Sequence, residues 1–302
     1  SGENRDKFSV APRNRMCYNQ IIKYTYKREA FSVKKMILRV LLALLLLVLL
    51  AAAGFGVLYA GRLRTVNSIE KITDYSDYNL YRMDVRYDYS IDDVINYGIT
   101  DNQSMIDAIL KETLPLLPVH MKAPNYGCSA FATVSDGNIL MGRNYDFRFD
   151  TSAMLVHSAP ADGYESIGFC ALDNLGVVDA LQTKSRFACL AAPFACLDGV
   201  NEKGVSCAVL TLDSKPTFRI TGKPIISTPM AIRLVLDRAA TTQQAVDLLL
   251  SYDMFATSGR DYHFYITDAS GDSRVVEYDC DSPYRELTVT PVRTVTNFYE
   301  MY

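Results

Sequence analysis

"NYGCSAFATVSDGNILMGRNYDF", residues 125–147, is where the texture of the chain turns to β. From Cys128 onward it reads as two strands joined by the turn Ser135–Asn138, with Asp136-Gly137 as the turn signal. The hairpin carries a cysteine near its start and an arginine and an aspartate, Arg143 and Asp146, near its end. Pro118 and Pro124 bracket the residues just before it and predict an extended or looped approach over Val119–Ala123.

Outward from the hairpin the elements alternate in blocks. Upstream, Gln103–Leu117 predicts a helix with Met105, Ile106, Ile109, Leu110 and Leu114 on one face, and residues 65–100, polar and rich in Tyr and Asp, read as a connector with a short helix or two. Downstream, short strands are expected around Ser166–Ala171, Phe187–Ala192 and Val205–Leu210. A helix pair follows: Thr228 caps the first with Pro229 at its first helical position, and a capping box from Thr241 to Gln244 opens the second. Strands return at Tyr262–Thr267, Ser273–Tyr278 and Leu287–Thr296, with a turn at Asp268–Asp272. Strands, two helices and strands again imply a layered α/β or α+β domain.

The other end of the chain is of a different kind. Val40–Ala60 contains no charged residue and is dominated by Leu and Ala, a length that spans a hydrocarbon core as a helix. Residues 1–39 carry ten Lys/Arg against three Asp/Glu, while the whole chain is at −3. The basic excess is therefore local, which excludes a basic nucleic-acid-binding body. It also places residues 1–39 on the cytoplasmic side of a membrane and everything after Gly61 outside. A cleaved signal peptide starting at Met36 is the alternative reading of "MILRVLLALLLLVLLAAAGFG".

Several chemistries lack their residues. The seven cysteines, Cys17, Cys128, Cys170, Cys189, Cys196, Cys207 and Cys280, form no C-x-x-C pair, and the three histidines, His120, His157 and His263, are scattered. No closely spaced metal ligands, no G-x-S-x-G elbow and no glycine-rich phosphate loop occur, so no metal and no cofactor is expected. Each histidine reads as structural or solvated.

Four pieces in order carry a resemblance: Cys128 before a strand, "GRNYDF" at 142–147, "DGVNEKG" at 198–204 and "TVTNFY" at 294–299. Together they resemble the linear amide hydrolases of the choloylglycine hydrolase and penicillin V acylase family, within the N-terminal-nucleophile superfamily. The resemblance implies an α+β fold, an αββα four-layer sandwich over residues 128–302; before it, composition and charge give a basic cytoplasmic segment at 1–39, a transmembrane helix at 40–60 and a connector or propeptide at 61–127. It further implies a cysteine amidase acting on a small N-acyl amide, such as a conjugated bile salt, penicillin V or an N-acyl amino acid.

In that reading Cys128 is the nucleophile, and its own α-amine, ordinarily titrating near 8, is the base. The resemblance sets Arg143 and Asp146 beside that amine. It sets Asn201, chiefly through its backbone N–H, and the side-chain amide of Asn297 at the oxyanion hole. Such an amine exists only once Gly127–Cys128 is cut. Relatives in this family continue past the last matching piece, so the sandwich is expected to lack its C-terminal part at Tyr302. By default, Asn201 is a hairpin residue and Arg143 with Asp146 a surface ion pair. Acyl transfer by the same cysteine, or a catalytically inactive membrane-anchored binding module, are the alternative functions; a homo-oligomer is compatible with either.

Overall fold

The computed structural model describes residues 12–117, 127–146 and 151–302, apart from the side chains of residues 12–19, 21, 29, 30, 127, 128 and 146. The expectations for His120, Pro118, Pro124 and Val119–Ala123 lie outside the described residues, as do the side chains of Cys128 and Asp146. The chain divides into two units, Ser1–Tyr59 and Ala60–Tyr302. Helix α1 (Pro12–Asn67) runs through most of the first and ends in the second. Its stretch Ile22–Asn67 is long and apolar enough to cross a membrane by length and composition.

In chain order the second unit holds β1 (Glu70–Lys71), β2 (Leu80–Asp84), α2 (Ile91–Asn96), α3 (Asn102–Thr113), β3 (Gly127–Ser135), β4 (Asn138–Asp146), β5 (Ala153–Ser158), β6 (Ser166–Ala171), α4 (Thr183–Ala188), β7 (Cys196–Asn201), β8 (Ser206–Leu212), β9 (Ile225–Ser227), α5 (Thr228–Arg238), α6 (Thr242–Leu250), β10 (Asp253–Phe255), β11 (Asp261–Thr267), β12 (Ser273–Tyr278), β13 (Leu287–Pro291) and β14 (Thr294–Val295). Among the described residues a nine-stranded sheet runs β1-β2-β5-β6-β7-β8-β11-β12-β13, and a three-stranded one runs β14-β3-β4. The fold is mixed α+β.

Local chemistry explains the best-read elements. Asp136 and Gly137 both have positive φ, 50° and 78°, so the β3–β4 turn needs the residues it has, and Ser135 pairs with Asn138 to close it. Asp101 caps α3 in a reciprocal box with Ser104, and the Thr241 side chain accepts the Gln244 N–H at the start of α6.

The core sits around β8, whose last six residues are all buried. Ala208 and Leu210 pack with Ala130 of β3, Val295 of β14, Tyr265 of β11 and Val275 of β12, so the small sheet lies against the large one. Helix α5 packs on β7 and β8. A side chain at Gly199 would meet Leu236 Cδ1 at 2.7 Å, so this glycine lets α5 approach the sheet. Fully burying aliphatic residues such as Ile232, Val235 and Leu236 contributes about 1.5–3 kcal/mol each.

Three expectations are corrected. Phe187–Ala192, read as a strand, is the end of α4 running into a 3-10 segment, Cys189–Ala195, with Leu190 and Ala192 fully buried. An apolar run without periodicity fits either state, and here packing selects the helical one. Leu287–Thr296 is two strands, β13 in the large sheet and β14 in the small one, divided after Pro291. Residues 65–100 do more than connect: β2 pairs in parallel with β5, Leu80 opposite Ala153 and Asp84 opposite His157, and so belongs to the main sheet.

Candidate active site

The β3–β4 register decides what the hairpin presents. Cys128 pairs with Tyr145, Ala130 with Arg143, and Gly127 with Asp146. Strand β14 lines the other side of β3, Val295 opposite Ala130. Asn297 lies two residues past Val295 and Cys128 two residues before Ala130, so both stand at the same end of the β14–β3 pair. Strand pairing thus joins segments more than 160 residues apart in sequence, Thr294 opposite Phe131 and Val295 opposite Ala130.

Arg143 shares its register position with Ala130, which faces the large sheet. Its side chain is only 7 % exposed, with Nε 3.2 Å from Asp198 Oδ2 on β7, while Nη2 donates to the Val209 carbonyl oxygen on β8 at 2.7 Å. The guanidinium also stands 5.2 Å from the Tyr145 ring centroid, within cation–π range. Burial raises the Asp198 carboxyl above the usual carboxylate range, and the Arg143 charge opposes that shift. Arg143 is thus enclosed rather than on the surface, and paired with Asp198; its expected pair with Asp146 lies outside the described side chains.

Asn297, half-buried, donates its side-chain Nδ2 to Thr211 on β8, to the carbonyl oxygen at 2.7 Å and the hydroxyl at 3.1 Å. Asn201 is elsewhere and otherwise employed. Its backbone N–H donates to Val205 O at 3.0 Å across the β7–β8 turn, and its Nδ2 donates to the carbonyls of Leu236 and Ala239 at the end of α5. Its Oδ1 accepts the N–H groups of Lys203 and Val205. Thr211 lies six residues along β8 from Val205, roughly 20 Å at strand rise. The structure therefore does not bring Asn201 and Asn297 to one oxyanion; the backbone donor assigned to Asn201 closes the hairpin instead.

A cleft of about 760 Å³ opens beside the ion pair, lined by Arg143, Tyr145 and Asp198 together with Leu140, Ile167 and Phe169. Ile167 and Phe169 are each more than two-fifths exposed on the open sheet face. Apolar walls around a few fixed polar groups suit a small, partly apolar ligand. Among the described residues no cluster of His, Cys, Asp or Glu could hold a metal ion. Cys170, Cys189, Cys196 and Cys207 are buried free thiols, and burial pushes each pKa up, to about 12 for Cys189 and Cys196.

His157 is part-exposed, with Nε2 2.7 Å from Glu165 Oε1; His263 is buried, with Nδ1 2.9 Å from Glu277 Oε1. Two residues of this site do not stand out in the sequence reading. Asp198 does carry a signal, an acid following the apolar Cys196 and Leu197 at the start of β7, which asks for a buried partner. Thr211 carries none.

The family model for linear amide C–N hydrolases, choloylglycine hydrolase family, matches residues 128–289, more than half of the chain, and the match begins on Cys128. Solved structures similar to the chain include penicillin V acylase from Agrobacterium tumefaciens, at 20% identity over 56% of this chain and 52% of that one, with a TM-score of 0.40. Two variant forms of conjugated bile acid hydrolase from Clostridium perfringens match at 22% and 20% identity, over 56% of this chain and 53% of theirs, with TM-scores of 0.41 and 0.43. The chain spans about half the length of these structures. No curated protein sequence matches.

Proposed function

Since the chain belongs to the choloylglycine hydrolase family of linear amide C–N hydrolases, we propose that it hydrolyses the carbon–nitrogen bond of a small N-acyl amide with Cys128 as nucleophile. The observation that carries this reading is the start of the family match on Cys128 itself; the pairing of β14, two residues before Asn297, with β3 supports it. The Cys128 α-amine takes the thiol proton, the thiolate adds to the amide carbonyl, the C–N bond breaks as the departing nitrogen takes that proton from the α-ammonium, and water then cleaves the thioester to a carboxylic acid and the free thiol. The amine requires a cut between Gly127 and Cys128, so the uncut chain is an inactive precursor.

In this reading Arg143 favours the thiolate by its charge, Asp146 accepts hydrogens from the α-amine, and Asn297 supplies an oxyanion donor. The cleft beside Arg143 takes the acyl part; conjugated bile salts, penicillin V and N-acyl amino acids are its substrate classes. An αββα sandwich is the fold that goes with this reading, and the packing of the small sheet against β8 and of α5 on β7 and β8 supports it. Helix α1 anchors the chain in a membrane, with residues 1–39 in the cytoplasm and the domain outside.

The test is amine release from those three substrate classes by the full chain, beside Cys128→Ala. Turnover by the parent protein and none by the variant is the expected result. Equal turnover by both would remove Cys128 from the chemistry.

A further inference from the structure

Two ionisable groups lie fully buried next to the segment that carries Asn297, outside the set of residues assigned to the reaction. His263 on β11 and Glu277 on β12 have no exposed side-chain surface, and Nδ1 of the imidazole is 2.9 Å from Glu277 Oε1. The other ring nitrogen, Nε2, is 2.9 Å from the Thr296 carbonyl oxygen. A carbonyl only accepts, so Nε2 carries a hydrogen and donates it. A single proton then lies between Nδ1 and Oε1, and the pair is satisfied with it on either atom.

Glu277 also binds the far end of the same segment, where both of its oxygens accept the Glu300 N–H, at 2.9 and 3.1 Å. One buried dyad therefore pins both ends of Thr296–Glu300. Asp261, also fully buried, holds the segment between them by accepting the Tyr299 hydroxyl at 2.8 Å. Desolvating such groups is costly unless each is paired, and here the pairs converge on one short strap. The Thr296 carbonyl belongs to the peptide group that begins Asn297. Fixing that plane fixes the base from which the Asn297 amide reaches Thr211.

We infer that His263, held by Glu277, is a positioning residue that sets the place of Asn297 through the Thr296 carbonyl. The inference rests on the reading of Asn297 as an oxyanion donor, where a misplacement of about 1 Å costs on the order of 10²-fold in rate.

Two amide substitutions separate the links. His263→Gln sets an N–H donor near the place of Nε2 and keeps the bond to Thr296; His263→Asn sets one near Nδ1, keeps Glu277 and loses Thr296. The full chain and both variants are compared for amine release, with Cys128→Ala alongside, and for hydrogen exchange at the amides of residues 297–300. His263→Asn should lower kcat by about 10²-fold with KM changed less than threefold, and should speed exchange across the strap. His263→Gln should stay within about threefold of the parent kcat and keep the strap protected.

Equal kcat and equal exchange in the two folded variants would overturn the inference. If the parent is no faster than Cys128→Ala, the amidase reading fails, and the positioning role is decided by the exchange comparison alone. Should His263→Asn not fold, the Glu300 amide of the parent decides: protection comparable to β11 supports the dyad, and free exchange overturns it.

Discussion

Arg143 and Asp198 join the three-stranded sheet to the nine-stranded one: the guanidinium of a β4 residue lies 3.2 Å from the carboxylate of a β7 residue, and both side chains are largely enclosed. Because Arg143 Nη2 also holds the Val209 carbonyl, the cation is fixed against two neighbouring strands of the large sheet. The position of the hairpin that begins at Cys128 thus depends on a charge pair remote from it in sequence. Asp198→Ala should destabilise the domain by about 3 kcal/mol, because it takes an anionic partner from an enclosed cation. Urea unfolding with an unchanged midpoint would show that the pair contributes nothing.

Asn201 and Asn297 should respond to substitution in opposite ways. Asn201→Ala removes two donated and two accepted hydrogen bonds at a buried turn, a loss of about 2–4 kcal/mol, with kcat of the folded fraction near the parent value. Asn297→Ala should lower kcat by roughly 10²–10³-fold with a smaller effect on KM. Thermal unfolding and amine-release kinetics on both proteins check this. A reversed pattern would return the oxyanion role to Asn201.

The contrast between those asparagines shows what a sequence can and cannot convey. The β3–β4 hairpin was legible because an Asp-Gly turn specifies its own register, α3 because its apolar residues recur on one helical face, and α6 because its cap is local. Leu80–Asp84 was not, since its partner β5 begins about seventy residues later and a five-residue strand has no local signature. For the site, Arg143 stands out by its motif, but its partnership with Asp198 is a contact between sheets. Asn201 sits in a segment whose turn character is the better guide to its role than its likeness to a catalytic motif.

Alkaline pH should weaken the domain. Burial raises the thiols of Cys189 and Cys196 from an ordinary value near 9 to about 12, and raises Cys170, Cys207 and the Tyr87, Tyr89 and Tyr278 phenols as well. Groups with raised folded-state values bind protons more tightly in the native state. Their contribution is therefore complete below the unfolded values and is lost as pH climbs from 9 toward 12. Urea midpoints should hold between pH 6 and about 8 and fall above about 9. Iodoacetamide at about pH 8 should spare these four cysteines until denaturant is added. Native-state labelling of Cys196 would contradict the burial.

Cleavage between Gly127 and Cys128 should leave the two pieces bound. The upstream piece supplies β2 to the main sheet, donates the Tyr81 hydroxyl to Asp179 at 2.9 Å and the Tyr87 hydroxyl to the Leu190 carbonyl at 2.5 Å, and stacks Tyr89 edge-on to Phe194 at 5.1 Å. Removing it would expose the edge of β5 and the buried side chains of Tyr81, Met83, Tyr87 and Tyr89, a loss of apolar burial no single peptide bond offsets. Denaturing electrophoresis should therefore show two chains where gel filtration shows one species, and an affinity tag on the N-terminus should retain the amidase activity. An active fragment beginning at Cys128 that elutes alone would mean that β2 is dispensable, and that the upstream piece only covers the precursor.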